Sequence, residues 1–331
     1  MIGKWGLGYP YSTGDPVWQG FDNFFGYNCQ RRAHHYFPRK LWDNQEITKE
    51  YGGRYSHSIF TDKALEFIEE KAENPFFLYL AYTIPHAKLQ IPKNKTTHYK
   101  EKLKQDKNLS KLGLRNRNSV VKYASMVTMM DEDIGRIVDK LDSLHLLENT
   151  IIFFSSDNGP HSEGGLNPTI LNSSGSLRGK KRDLYEGGIR VPLIVSWKGK
   201  IPSNSTSEHV SAFWDFFPTI TDLLNISNPK SIDGISYLPT LLDTGKQKEH
   251  DFLYWEFHGR GGKQAVLHNN WKIVVNKVNS SNPQIELYNL STDPAESKDL
   301  SDQNVEVLKK MKNIMRSAHK ENPVFRFKFE R

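Results

Sequence analysis

Thr150-Ile151-Ile152-Phe153-Phe154-Ser155-Ser156 is a continuous, largely apolar run that stops at Asp157-Asn158-Gly159-Pro160-His161. A run of that length, ended by turn residues, reads as a strand buried on both faces. Phe76-Phe77-Leu78-Tyr79-Leu80-Ala81-Tyr82 and Val191-Pro192-Leu193-Ile194-Val195 have the same character. Between residues 82 and 150 the apolar positions Val120, Tyr123, Ala124, Val127, Met130, Ile134, Ile137, Val138, Leu141 and Leu144 recur in steps of three and four. That spacing makes one face of a helix. Shorter helices are expected over 61–72 and 213–224. Strand–helix–strand alternation predicts an α/β fold, a mostly parallel sheet sandwiched by helices.

Beyond about Gly245 the pattern changes. Phe252–Phe257, Gln264–Leu267, Trp271–Val275 and Ile285–Leu290 are short strand-like runs separated by turn residues, and a helical pattern follows over 305–319. This predicts a small C-terminal antiparallel α+β subdomain, 245–331, after a main α/β domain, 1–244. Residues 93–118 are polar, Lys-rich and without a clean period, so a long surface excursion is expected there.

The chain has 331 residues, 37% hydrophobic and 25% charged, which is enough apolar material to exclude wholesale disorder. No apolar run approaches the roughly 20 residues of a membrane span, so no transmembrane segment is expected. The one cysteine, Cys29, excludes a disulfide framework and any multi-cysteine metal site. The net charge of +7 is spread along the chain with acidic residues interleaved. It suits an anionic substrate and gives no reason to expect nucleic acid.

Sites in open α/β sheets form beyond the carboxyl ends of strands. Thr83-Ile84-Pro85-His86 and Asp157-Asn158-Gly159-Pro160-His161 both follow expected strands, and Gly3-Lys4-Trp5 opens the chain as a third such end. The Gly-rich segment from Arg178 to Pro192 puts Lys181 and other bases ahead of a strand. Lysines suit an oxyanion, His86 could protonate a leaving oxygen, and Asp157 with Asn158 offers hard oxygen ligands. Singly, each feature has a bland reading: a turn for Asp-Asn-Gly, a structural histidine, a solvated basic loop. Their joint occurrence in this order is the signal.

Gly3-Lys4-Trp5-x-Leu7-Gly8, Pro75-Phe76-Phe77-Leu78 running to Pro85-His86, Ser156-Asp157-Asn158-Gly159, Lys181 ahead of Tyr185-Glu186-Gly187-Gly188-Ile189-Arg190-Val191-Pro192, and Glu286-Leu287-Tyr288-Asn289-Leu290 with Asp293-Pro294-Ala295-Glu296 together resemble the type I sulfatases of the alkaline-phosphatase-like superfamily. The resemblance covers essentially the whole chain. It implies hydrolysis of a sulfate ester, an arylsulfatase-like sulfuric ester hydrolase that depends on formylglycine and Ca²⁺. By that resemblance Lys4 and Lys181 contact the sulfate, His86 contacts it and helps the leaving alcohol depart, and Asp157 lies near the nucleophile. Asp157 and Asn158 resemble two of the calcium ligands, a partial site only. Arg178, Lys180 and Arg182 read as loop charges, and Glu186 and Arg190 as residues that fix the loop. His161 reads equally as support for the metal pair or as rim.

Two departures stand out. Gly6 occupies a place where many family members have a histidine that assists breakdown of the sulfated intermediate; His34 or His35 is the expected substitute. The Cys/Ser-x-Pro-x-Arg precursor of formylglycine is absent, since Cys29 is followed by Gln30-Arg31-Arg32. The aspartate pair that completes the calcium site is also absent. The expectation is an N-terminally truncated sulfatase, inactive alone, whose parent is periplasmic or secreted. The expected partner is a sulfated small molecule or carbohydrate. Tyr254-Trp255-Glu256-Phe257-His258 resembles sulfatases of microbial polysaccharide breakdown, and His258, Trp42 and Trp255 are candidates for a sugar subsite. The alternatives are a phosphodiesterase or phosphonate hydrolase of the same superfamily, against which the Lys4–His86–Lys181 set speaks, and a non-catalytic protein that binds sulfated glycans.

Overall fold

Lys4 ends the first strand, and the chain around it explains why a strand forms there. In this computed structural model, which describes residues 1–107 and 109–328, β1 (Ile2–Lys4) lies parallel to β2 (Phe25–Tyr27). The two backbones approach so closely that a Cβ on Gly26 would lie 1.8 Å from the Gly3 carbonyl oxygen, and Gly26 sits at φ +151°. Only glycine fits both demands. An antiparallel extension, β3 (Leu41–Asp43) and β4 (Glu46–Thr48), continues one side of the sheet. After α1 (Ser56–Glu70), β5 (Leu80–Ala81) joins β1 in parallel on the other side, giving the order β4-β3-β2-β1-β5.

The run Phe76–Tyr82 departs from its expected form. Only Leu80 and Ala81 are strand, at the sheet edge, and Phe77 and Tyr79 are 61% and 48% exposed. Periodicity reports apolar character and says nothing about whether a neighbour covers it. The excursion over 93–118 also differs, since it contains α2 (Thr97–Gln105) and the first turns of α3 (Leu114–Ser143). Leu103 is the one buried side chain of α2, packed with Val120 and Val121 of α3, and one anchor leaves no period to detect.

These elements, with residues 161–171, make one compact unit; residues 150–160 and 172 onward make a second. Within the first, α3 buries Val120, Met126, Met129 and Asp133. Asp133 Oδ2 lies 3.0 Å from His57 Nε2, and its Oδ1 accepts from Arg136 Nη1 at 2.8 Å. Burial presses its carboxyl upward, but the bonds from His57 and Arg136 outweigh that and hold it below the usual carboxylate range. A carboxylate depressed in the fold stabilises it above the unfolded pKa of about 4, and that contribution is lost as pH falls through the folded value. Asp133→Asn is therefore expected to cost about 1–2 kcal/mol at neutral pH and much less near pH 3. Urea titrations at the two pH values check this, and equal losses at both would contradict it.

The second unit holds β6 (Ile152–Ser155), α4 (Glu186–Ile189) and β7 (Leu193–Ser196), with β6 and β7 paired antiparallel. Then come α5 (Phe216–Leu223) and α6 (Leu238–Leu242). A four-stranded antiparallel sheet follows, with β8 (Leu253–Phe257), β9 (Lys263–His268), β10 (Trp271–Asn276) and β11 (Gln284–Asn289) in the order β11-β10-β9-β8. The amphipathic α7 (Val305–Ala318) buries Met311 and Met315 with Val266, Ile273 and Leu287 of that sheet. This is the C-terminal antiparallel α+β pattern the sequence predicts. No helix among the described residues is long and apolar enough to cross a membrane.

Candidate active site

The parallel strands β1, β2 and β5 end on one edge of the first unit. That edge carries Lys4, the segment after β2, and Thr83-Ile84-Pro85-His86 after β5. The fully buried Tyr36 hydroxyl, 2.6 Å from the His86 carbonyl and 3.1 Å from that of Thr83, fixes the last of these segments. Burial drives the Tyr36 phenol far above its ordinary range, so it stays a donor.

His86 is the centre of a ring cluster. It stacks with His34 at 4.8 Å and with His161 at 5.3 Å between centroids. Its Nδ1 lies 2.7 Å from the Ala87 carbonyl, which can only accept, so that nitrogen carries a proton. Its Nε2 lies 3.2 Å from Glu163 Oε2. Both ring nitrogens thus face acceptors, an arrangement that satisfies an imidazolium. His161 is different. Its Nδ1 accepts from the Glu163 N–H at 3.0 Å, and its Nε2 donates to the Pro85 carbonyl at 3.2 Å, which is a neutral ring.

The two histidines expected to compensate for Gly6 separate here. His34 joins the cluster, whereas His35 is exposed and its Nδ1 accepts from the Phe37 N–H at 3.3 Å. The space beside Gly6 is taken by Gln30, since a Cβ there would lie 2.4 Å from Gln30 Nε2. Neither Glu163 nor Gln30 was among the residues singled out from sequence. Each meets its neighbour only through chain folding, and no local spacing marks it.

In the second unit, Asp157 and Asn158 follow β6 as expected. Ser156 Oγ donates to the Asn158 carbonyl at 3.0 Å, and Asn158 Nδ2 to that of Gly159 at 2.9 Å. Two backbone bonds join this turn to the basic loop: Gly159 N–H to Gly188 O at 3.0 Å and Lys181 N–H to Pro160 O at 2.9 Å. Asp157, Asn158 and Lys181 therefore belong to one loop cluster. Arg178, read from sequence as a loop charge, lies over the Tyr185 ring at 4.0 Å and donates to Tyr288 Oη at 2.7 Å. Glu186 is buried against Lys272 Nζ at 2.6 Å, so it fixes the loop. His258 is bound to Glu256 at 2.9 Å and stacks on Phe327 at 4.0 Å.

Asp157 and Asn158 offer oxygen donors of the type calcium takes, but two side chains fall short of its six to eight ligands. Among the described residues no group of three or more His, Cys, Asp or Glu side chains could hold a metal ion. The residues present do not make a complete calcium site.

A family model for sulfatases matches residues 1–226, and one for the C-terminal part of N-sulphoglucosamine sulphohydrolase matches 179–321. The chain is 32% identical over 244 residues to an uncharacterized sulfatase, YdeN, of Escherichia coli K12, covering 72% of this chain and 40% of that protein. It is 30% identical over 277 residues to the N-acetylgalactosamine-6-sulfatase of Homo sapiens, covering 77% of this chain and 48% of the relative. The crystal structure of Ps i-CgsB in complex with k-i-k-neocarrahexaose superposes with a TM-score of 0.79 at 25% identity, over 96% of this chain and 70% of that one. The chain spans about half the length of the curated relatives it matches.

Proposed function

The chain belongs to the sulfatase family, and from that premise we propose that it carries the substrate-handling part of an arylsulfatase-type sulfuric ester hydrolase acting on a sulfated carbohydrate. The observation that carries the reading is His86, with both ring nitrogens facing acceptors at the strand edge that also bears Lys4. A relative that is an N-acetylgalactosamine-6-sulfatase and a similar structure holding neocarrahexaose favour a sulfated glycan over a simple aryl ester.

Lys4 and Lys181 would set fixed positive charge against the sulfate oxygens, where it counts most as the S–O bond breaks. His86 would pass its Nε2 proton to the bridging oxygen of the leaving alcohol. Glu163 must release Nε2 as that oxygen arrives, and the adjacent Gly164 and Gly165, at φ 68° and 83°, give it a pivot. His34 and His161 hold the imidazole in its plane. Of the two histidines expected to compensate for Gly6, His34 is the one that stacks with His86, and we assign it to the site in preference to His35. His258 remains a candidate sugar contact through its exposed edge. Formylglycine is the nucleophile of the family, but its precursor motif does not occur in these residues. The chain by itself is expected to show only background turnover.

That last point gives weight to a second reading, a protein that binds sulfated glycans without cleaving them. Both readings predict anion binding. Lys181→Ala is expected to weaken inorganic sulfate binding by about 10-fold or more, the scale of a lost hydrogen bond to a charged group. NMR titration of the chain measures it, and an unchanged affinity would remove Lys181 from the site. Desulfation of an aryl sulfate by these 331 residues at the rate of intact sulfatases would overturn the expected inactivity.

A further inference from the structure

Lys181 sits in a turn that is strained and held from outside. The Asp183 N–H donates to the Lys180 carbonyl at 2.8 Å, and its carboxylate accepts from the Lys180 N–H at 3.2 Å. Between them Arg182 has φ 77°, the left-handed region that is costly for a residue with a Cβ. Something must hold that conformation. Lys263, the first residue of β9, reaches across. Its Nζ donates to the Arg182 carbonyl at 2.9 Å and to Asp183 Oδ1 at 2.7 Å. Its side chain is only 11% exposed. One ammonium therefore bonds the carbonyl of the strained residue and the carboxylate that closes the turn. Charge-assisted bonds of this length are about twice as strong as neutral ones.

We infer that Lys263 is a positioning residue for Lys181: by locking residues 180–183 onto β9 it presents the Lys181 ammonium to a bound sulfate. The sulfate part of this rests on the proposed function, whereas the lock itself rests on the geometry of the second unit alone. A competing account is that the loop is already rigid through the buried Lys272–Glu186 pair, with Lys263 only one more surface ion pair. The two differ in what loss of Lys263 does.

Three variants of the chain separate them, Lys263→Met, Lys263→Arg and Lys181→Ala, each read by amide hydrogen exchange and by titration with inorganic sulfate. In Lys263→Met, exchange in the peptide spanning 179–184 should rise by about 10-fold or more, the scale of a lost charge-assisted bond. Protection of β9, β10 and β11 should stay as it is. Sulfate affinity should fall by a large share of the loss seen in Lys181→Ala. Lys263→Arg keeps two donors on a long stem and should restore both. Unchanged exchange over 179–184 in Lys263→Met overturns the proposal. So does a rise that spreads through β9–β11, which marks a general structural residue, and so does failure of arginine to restore the loop. If Lys181→Ala binds sulfate like the parent chain, the assignment of Lys181 to sulfate fails, and the exchange result alone decides the lock.

Discussion

Methionine in place of Lys272 is expected to cost about 3–5 kcal/mol of stability, the scale of breaking a buried ion pair from one side. The Lys272 ammonium is wholly buried on β10 and lies 2.6 Å from Glu186 Oε1 and 2.9 Å from Glu296 Oε1. Glu296 is equally buried, and its other oxygen accepts from the Glu186 N–H at 2.6 Å. Burial pushes the Glu296 carboxyl up, with Lys272 the main influence pulling it back. Without the lysine, two carboxylates share a dry pocket, with Arg190 3.9 Å from Glu186 and Arg178 bonded only to the Glu296 backbone carbonyl. One of the carboxyls must take up a proton or drag in water, and either choice is expensive. Replacing all three groups together, Lys272→Met with Glu186→Gln and Glu296→Gln, should recover much of the loss, because no uncompensated charge is left. Urea denaturation of the single and triple variants tests this. A loss below about 1 kcal/mol in Lys272→Met would show that the network is already relaxed by solvent.

The C-terminal sheet that carries Lys272 was the most legible part of the chain. Trp271–Val275 was expected and Trp271–Asn276 is observed, because the run is aromatic and β-branched and Asn269, at φ 52°, marks the turn before it. Legibility fell where a polar residue took a core place. Asp133 is buried on α3 because His57 and Arg136 pair with it, so the helix faces inward through Met126 and Met129, and Val127 of the expected face points outward. The apolar period could not carry that information. Among the residues proposed from sequence, Lys4, His86, Asp157, Asn158 and Lys181 stood out because each lies at or after a strand end or in a Gly-rich loop within a family motif. Glu163 and Lys263 did not, since they act through contacts between segments far apart in the chain. Motifs mark groups that meet a ligand. The groups that hold them become visible only in three dimensions.

His86→Ala should lower kcat by roughly 10²–10⁴-fold on a sugar sulfate, the range general acid catalysis contributes, in an enzyme where a formylglycine segment accompanies this chain. The size of the loss should depend on the leaving group, and this is what distinguishes a proton donor from a residue that merely supports the site. A sugar alkoxide is a poor leaving group and needs the Nε2 proton as the S–O bond breaks. The anion of an acidic phenol leaves without one. The variant should therefore be severely impaired on carbohydrate sulfates and only mildly on activated aryl sulfates, and KM should move little for either. His34→Ala and His161→Ala remove neighbours of the ring at 4.8 and 5.3 Å and should give smaller losses that do not track the leaving group. Glu163→Gln keeps the shape but removes the carboxylate facing Nε2 at 3.2 Å. If Glu163 stabilises the protonated ring, this variant should lose activity at lower pH than the parent as pH rises, because the imidazolium gives up its proton sooner. A uniform loss in His86→Ala across phenyl and sugar sulfates would show that the ring binds or orders the site and does not deliver the proton.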